Sequence, residues 1–393
     1  MTKIPVLATA ILLAGSQLPA QTQGVVIPSK VDQLEIGGQL RLRFDQRDPV
    51  LATSESASGQ LGRVRAHVKG AMGDNTNFML QLQKGWSGLG SEAPASIHQA
   101  YMGMNDMFGV MNLKLGRFEL QYGNQRMVSP LVWSNTGRAW DGALINHSLG
   151  DMNVDFFYTK TVQGQGAADG ADDVFGGLYA QTKVGEMDLD LYALTRDTTA
   201  GLNDTTYGAL LEGANSGVKW SAEYAMQTGD HGANDAGGSA MALRADYALQ
   251  EGMTVGLGYE VATGVSGTDD RFIPVYNFGH AWQGHQDIVG WSNLNDLVFR
   301  GKYKVADAWN LHGDYHIFTK NEADDALYTG SGGSGATLAA GEDEIGNELD
   351  LYMKGALSDG VSAWIGVSSF SPGDAVANAE DQTWMFAHLV LNF

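Results

Sequence analysis

The chain has 393 residues and a formal net charge of -21, from 24 Lys and Arg against 45 Asp and Glu, so no general basic surface is available for nucleic acid. With 52 Gly, 8 Pro and no Cys, it suits many strands joined by tight turns and takes no stability from disulfides, which leaves a core or a closed sheet. Beyond the first twenty residues no window is long and apolar enough for a spanning helix, which excludes a helical membrane protein.

The N-terminus reads as a secretory signal: Lys3 is the positive region, residues 4–13 the apolar stretch, and residues 15–20 a small, polar exit ending at Ala20. Residues 21–33 are then a short periplasmic segment, and residues 34–393 one domain, since no Pro-rich, Ser-rich or charged linker divides them.

Strict alternation begins at Leu34. Leu34, Ile36, Leu40, Leu42 and Phe44 fall on one face, and Glu35, Gln39, Arg41, Arg43 and Asp45 on the other. Val64, Ala66 and Val68 likewise oppose Arg63, Arg65, His67 and Lys69, and Phe78, Leu80 and Leu82 oppose Asn77, Gln81 and Gln83. Short connections at 73–75, 106–109, 150–151, 184–186, 215–217, 250–252, 305–308 and 358–360 alternate with long ones at 49–60, 85–95, 164–172, 230–238, 264–287 and 321–344. That rhythm predicts an all-β, antiparallel, up-and-down transmembrane β-barrel of about 18 strands in the bacterial outer membrane, enclosing an open aqueous lumen. The last strand puts Met385, Ala387, Leu389, Leu391 and Phe393 on one face, and a terminal Phe resembles the signal read by the barrel-assembly machinery.

If the apolar face meets lipid, Arg41, Arg43, Arg63, Arg65 and Lys69 point into the lumen, as do Arg300, Lys302 and Lys304 opposite Leu297, Phe299 and Tyr303. Arg117 joins them if a bulge lies near Gly116. A ring of such cations selects anions. The alternative is that they balance luminal acids such as Glu35, Asp45, Glu119, Glu348 and Asp350, as in a general porin.

Residues 122–145, YGNQRMVSPLVWSNTGRAWDGALI, and 271–297, RFIPVYNFGHAWQGHQDIVGWSNLNDL, go beyond barrel generalities. Gly116, Arg117, Tyr122, Gly123, Gln125, Arg126, Trp133, Asn135, Arg138, Asp141 and Gly142, with Phe272, Pro274, Gly284, Asp287, Trp291, Asn293 and Leu297, resemble the alginate-export family. The resemblance implies an eighteen-stranded outer-membrane barrel with an arginine-lined constriction for a uronate-type anionic polysaccharide, with Arg117, Arg126, Arg138 and Asp141 at or near it. The family's exporter is gated by a long periplasmic turn, and every such turn is short here, so the loops at 264–287 and 321–344 are the candidates for occluding the mouth.

Asn146, His147 and Ser148 carry no enzyme reading, because neighbours on a strand face opposite ways. His280 and His285 have no trusted metal spacing, and the acidic runs 342–344 and 324–325 lack a calcium-loop pattern. Trp86, Tyr101, Trp220, Tyr224, Tyr247, Tyr259, Tyr303 and Trp384 read as interface girdles, while Trp133, Trp140, Trp282 and Trp291 could instead stack sugar rings. The expectation is a diffusive channel without cofactor, for anionic polysaccharide or small anions, with outer-membrane lipid and lipopolysaccharide as surroundings. A general porin for small solutes is the alternative, and a sealed structural or adhesive barrel a third.

Overall fold

The computed structural model describes residues 31–48, 57–88, 94–162, 173–268, 270–329, 341–376 and 379–393. The expected signal segment, and parts of the loops expected at 49–60, 85–95, 164–172 and 321–344, lie outside them. Nineteen strands form one antiparallel sheet: β1 (Gln33–Asp48), β2 (Ala57–Met72), β3 (Thr76–Ser87), β4 (Ser96–Met107), β5 (Met111–Phe118), β6 (Ala139–Leu149), β7 (Met152–Val162), β8 (Val174–Val184), β9 (Met187–Asp197), β10 (Leu202–Asn215), β11 (Val218–His231), β12 (Asn234–Asp235), β13 (Ser239–Gln250), β14 (Met253–Ala262), β15 (Leu294–Ala306), β16 (Trp309–Thr319), β17 (Glu344–Ser358), β18 (Val361–Pro372) and β19 (Gln382–Asn392). The two-residue β12 only extends the hairpin between β11 and β13, which leaves eighteen strands in the wall. β1 pairs with β19 from Gln39↔Asn392 to Asp48↔Thr383, so the sheet closes and has no free edge.

Period-two patterning places the apolar face outside. Ile36 is 74% exposed and Leu80, Leu82, Leu191, Leu257, Phe299 and Leu351 all stand open, where a soluble protein would bury them. The tight turns sit at one end, and Gly150 (φ 63°) and Gly185 (φ 65°) adopt there the left-handed backbone that two-residue hairpins require.

The interior corrects the expectation of an open lumen. Phe118, Val128, Trp140, Phe157, Phe175, Leu194, Phe272 and Trp291 form a dry cluster inside the wall of β5–β14, and Ile288, Val289, Leu294, Phe318, Ile345 and Phe370 a second inside β15–β18. Two loops fold inward to supply much of it: residues 119–138, between β5 and β6, and 263–293, between β14 and β15. The second extends the loop expected at 264–287; the first was not expected to be a loop.

Candidate functional site: two inward loops over a basic lumen

Two long segments can sit inside a barrel only if their backbone polar groups find partners there. Some partners are each other: Val128 and Tyr276 form a parallel bridge, with Ser129 N–H donating to Tyr276 O at 2.9 Å, Tyr276 N–H to Met127 O at 2.8 Å and Phe278 N–H to Gln125 O at 3.0 Å. Gly123 lies where a Cβ would stand 2.7 Å from the Tyr179 hydroxyl, so only glycine lets the loop lie this close to the wall.

Further loop carbonyls are gripped by wall arginines. Arg41 donates to Val132 O (2.7 Å), Ser134 O (3.0 Å) and Asn135 Oδ1 (2.6 Å), and Arg63 to the same two carbonyls at 3.1 and 2.9 Å. Arg43 lies 4.5 Å over the Trp133 ring, on which the His280 ring stacks at 3.6 Å. Arg65 turns away from this tip, to Gln83 (2.6 Å) and Glu119 (3.1 Å). Lys69 pairs with Glu35 at 2.8 Å in an exposed position toward the short-turn end. So the first four predicted cations are inward, as their alternation requires, but they hold backbone and polar neighbours rather than stand free.

Arg196, not singled out from the sequence, does the same for the second loop. It is locked to Asp204 by two bonds (2.8 and 2.5 Å) and donates to Ile273 O (3.1 Å) and Pro274 O (3.2 Å), while Gln227 both donates to Ile273 O (2.7 Å) and accepts from Ile273 N–H (2.9 Å). On the opposite wall the partners invert in sign: Glu348 accepts from Gln286 N–H (2.8 Å) and Asp350 from His285 N–H (3.2 Å). His285 is driven down to about 4 by burial, so it is neutral at physiological pH.

Arg126 lies within the loops. Its Nη1 is 2.5 Å from Glu260 and its Nε 3.9 Å from Glu223, with the guanidinium 3.8 Å over Trp282. Arg138 joins the loops by donating to Ser129 O (3.4 Å) and Asn277 O (3.2 Å). Both are structural cross-links at the inward loops, where the motif implied a constriction.

Arg117 and Asp141 correct the expectation. They are bonded to each other twice, at 2.7 and 2.8 Å. No bulge breaks the pairing at Gly116; Ala100↔Arg117 follows Met102↔Leu115 in register, and the irregularity lies one pairing earlier, at Gln81/Leu82, where it admits His98. Met102 and Leu115 are outward, 44% and 37% exposed, so Arg117 is outward too, and Asp141 with it. Tyr101 and Trp384 are also corrected: Tyr101 packs against the inner cluster, and Trp384, 1% exposed, pairs with inward Arg47. Tyr224, Tyr247, Tyr259 and Tyr303 do stand outside. Of the four tryptophans considered for sugar stacking, Trp140 and Trp291 are fully buried, Trp282 is covered by Arg126, and Trp133 lines a cavity.

Two adjoining cavities lie on the short-turn side of the loops. One, of ≈ 470 Å³, is walled by Arg41, Arg63, Trp133, His280, Lys354 and Trp364 among others; the second, of ≈ 500 Å³, by Lys219, Arg244, Arg300, Lys302, Asp246 and Asp314 among others. His312 and Tyr352 line both. Arg300 and Lys302 are thus luminal, as alternation predicts, and Lys304 borders a further cavity toward the turns. Lys219, Arg244 and Lys354 obey the same alternation and were missed because each stands alone in its strand. Arg244 is held by Asp246 (2.7 Å) and Arg300 by Asp314 (3.2 Å).

Residues 32–389 match the alginate export family. The chain belongs to that family. Within it, alginate production protein AlgE of Pseudomonas aeruginosa is 30% identical over 132 residues, 30% of this chain and 25% of that protein, so the similarity spans about a quarter of the relative's length. Among solved structures, Pseudomonas aeruginosa OpdQ (TM-score 0.66, 12% identity, covering 92% of this chain and 97% of that one) and Acinetobacter baumannii OccAB3 (TM-score 0.66, 11% identity, 92% and 100%) share the barrel fold. This alginate export family member is therefore an all-β outer-membrane barrel of the porin type.

Proposed function

We propose that the chain is a passive channel that carries acidic saccharides or other small anions across the outer membrane. The observation behind this is the lining beneath the loops, where Lys219, Arg244, Arg300, Lys302 and Lys354 meet the cavities of a chain whose net charge is -21. Cations concentrated on one water-filled wall raise local anion concentration and exclude cations. Family membership favours a uronate-type polysaccharide as cargo, although the two inward loops sit where an extended polymer would have to thread, so short oligomers fit the geometry better. A general porin is the second reading, favoured by the pairing of Arg244 and Arg300 with Asp246 and Asp314, which cancels part of the charge. Lys219, Lys302 and Lys354 decide between them. In planar bilayers under a salt gradient, the refolded barrel should prefer anions, and Lys219→Gln, Lys302→Gln and Lys354→Gln together should move the reversal potential toward cations. Uronate oligomers should block the wild type more strongly than neutral sugars. A wild type without ion preference, indifferent to uronates, refutes the reading and leaves a general porin.

A further inference from the structure

Beneath the loops, the inner wall of β15–β18 carries rings as well as charge. Lys302 faces His312 across β15 and β16, His312 faces Tyr352 across β16 and β17, and Lys354 faces Trp364 across β17 and β18. The His312 and Tyr352 rings are stacked, with centroids 4.7 Å apart and planes 3° apart, and this pair stands where the two cavities adjoin. Trp364 is half-buried and lines the ≈ 470 Å³ cavity. Every ring near it is tilted, from 54° for Tyr352 to 88° for Phe386, so none is stacked on its face. Trp133 differs, being already stacked on His280 and covered by Arg43. The polar groups of this panel are uncommitted. Among the described residues, Lys302 has no ion-pair or hydrogen-bond partner, the Lys354 ammonium lies 5.3 Å over the Trp364 ring without a carboxylate, and the side chains of His312 and Ser362 make no hydrogen bond.

Free ammonium groups alone attract any anion. Ring faces add a preference, because their electron-rich π surface favours a flat ligand face of partly positive C–H groups. A pyranose presents such a face, and in a uronate the carboxylate projects from the ring edge. Polar groups left unpaired in a confined cavity further favour a ligand with hydroxyls over one without them. We propose that this panel is a saccharide subsite: a pyranose ring of an acidic sugar lies against Trp364 beside the Tyr352–His312 pair, its hydroxyls reach Ser362 and His312, and its carboxylate meets Lys354 or Lys302. The subsite rests on acidic saccharides being the cargo, and adds that the ring is recognised as well as the charge.

The test measures single-channel block of the full barrel in planar bilayers by three trianions: a uronate trisaccharide, a capped triglutamate peptide, which has the carboxylates without the rings, and benzenetricarboxylate, which has a ring without hydroxyls. In wild type the trisaccharide should stay bound roughly tenfold longer than either of the others, the scale of one or two ring contacts. Trp364→Leu with Tyr352→Leu, which keeps apolar bulk but removes the π faces, should shorten its residence to that of the peptide, while Trp364→Phe alone should keep most of it. Equal residence of trisaccharide and peptide in wild type, which requires no variant, overturns the proposal, as does unchanged residence in the Leu variant or a Phe variant as weak as the Leu variant. Benzenetricarboxylate held as long as the trisaccharide would make this a general site for flat anions and overturn the saccharide assignment. The two readings fail separately. Anion preference without discrimination among the probes overturns the subsite and leaves the channel reading, whereas an absent ion preference with the trisaccharide still held longest refutes that reading and leaves the subsite standing.

Discussion

The interior has two levels that use the same residue type differently. Around the inward loops, Arg41, Arg63, Arg126, Arg138 and Arg196 are committed to carbonyls, carboxylates and tryptophan faces. Below them Lys219, Lys302 and Lys354 line open cavities. Commitment makes the difference: an arginine that spends its donors on carbonyls and carboxylates is a clamp, even where it borders a cavity as Arg41 and Arg63 do, whereas a cation that stands in open water keeps its field for the solute. An arginine-rich lumen is therefore not in itself an arginine-lined pore.

The comparison breaks most sharply at Arg196. Arg196→Ala leaves Asp204 buried without its bidentate partner and takes a donor from the carbonyls of Ile273, Pro274 and Val275, of which Ile273 O keeps Gln227, so the loss should be about 3–5 kcal/mol, read as the shift in urea midpoint of the lipid-refolded barrel. A loss below about 1 kcal/mol would mean the clamp is ornamental. Next comes Arg41→Ala with Arg63→Ala, which removes the charge-assisted bonds that hold one loop tip. The barrel itself should survive, while protease cuts around Val132 accelerate and single-channel conductance rises. Unchanged proteolysis would show that aromatic packing on Trp133 is sufficient.

The smallest effect is a pH dependence. His285 ordinarily titrates at 6.5 and is lowered to about 4 by burial, with Asp350, Asp314, His280 and His316 around it. A depressed histidine stabilises the folded loop fully above pH 6.5, and that contribution falls away as pH drops toward 4, because the displaced loop binds the proton more readily. Tryptophan fluorescence of the wild type should change across that window and flatten in His285→Gln; identical profiles would remove His285 from the account.

Most of the wall was legible in the sequence because period two is enforced by lipid on one side and polar surroundings on the other. Leu34–Phe44 and Leu297–Tyr303 follow it, and Arg41, Arg43, Arg300 and Lys302 fall inward as it dictates. It failed where the interior is itself apolar. Leu120, Tyr122, Met127 and Val128 are apolar but belong to a loop, and Phe118 and Trp140 are apolar yet inward, which hid the 119–138 segment and put Arg117 on the wrong face. The clamping role of Arg196 was invisible for another reason: its loop partners are backbone carbonyls 77–79 residues away, and carbonyls have no sequence signature.

The short bridge between Val128 and Tyr276 has a mechanical consequence. A loop that swung out alone would strand Ser129 N–H, Tyr276 N–H or Phe278 N–H among side chains with no exposure at all, such as Phe118, Val128 and Phe272. The less costly excursion moves both loops as one body, so any widening of this passage is a single concerted step rather than two independent hinges.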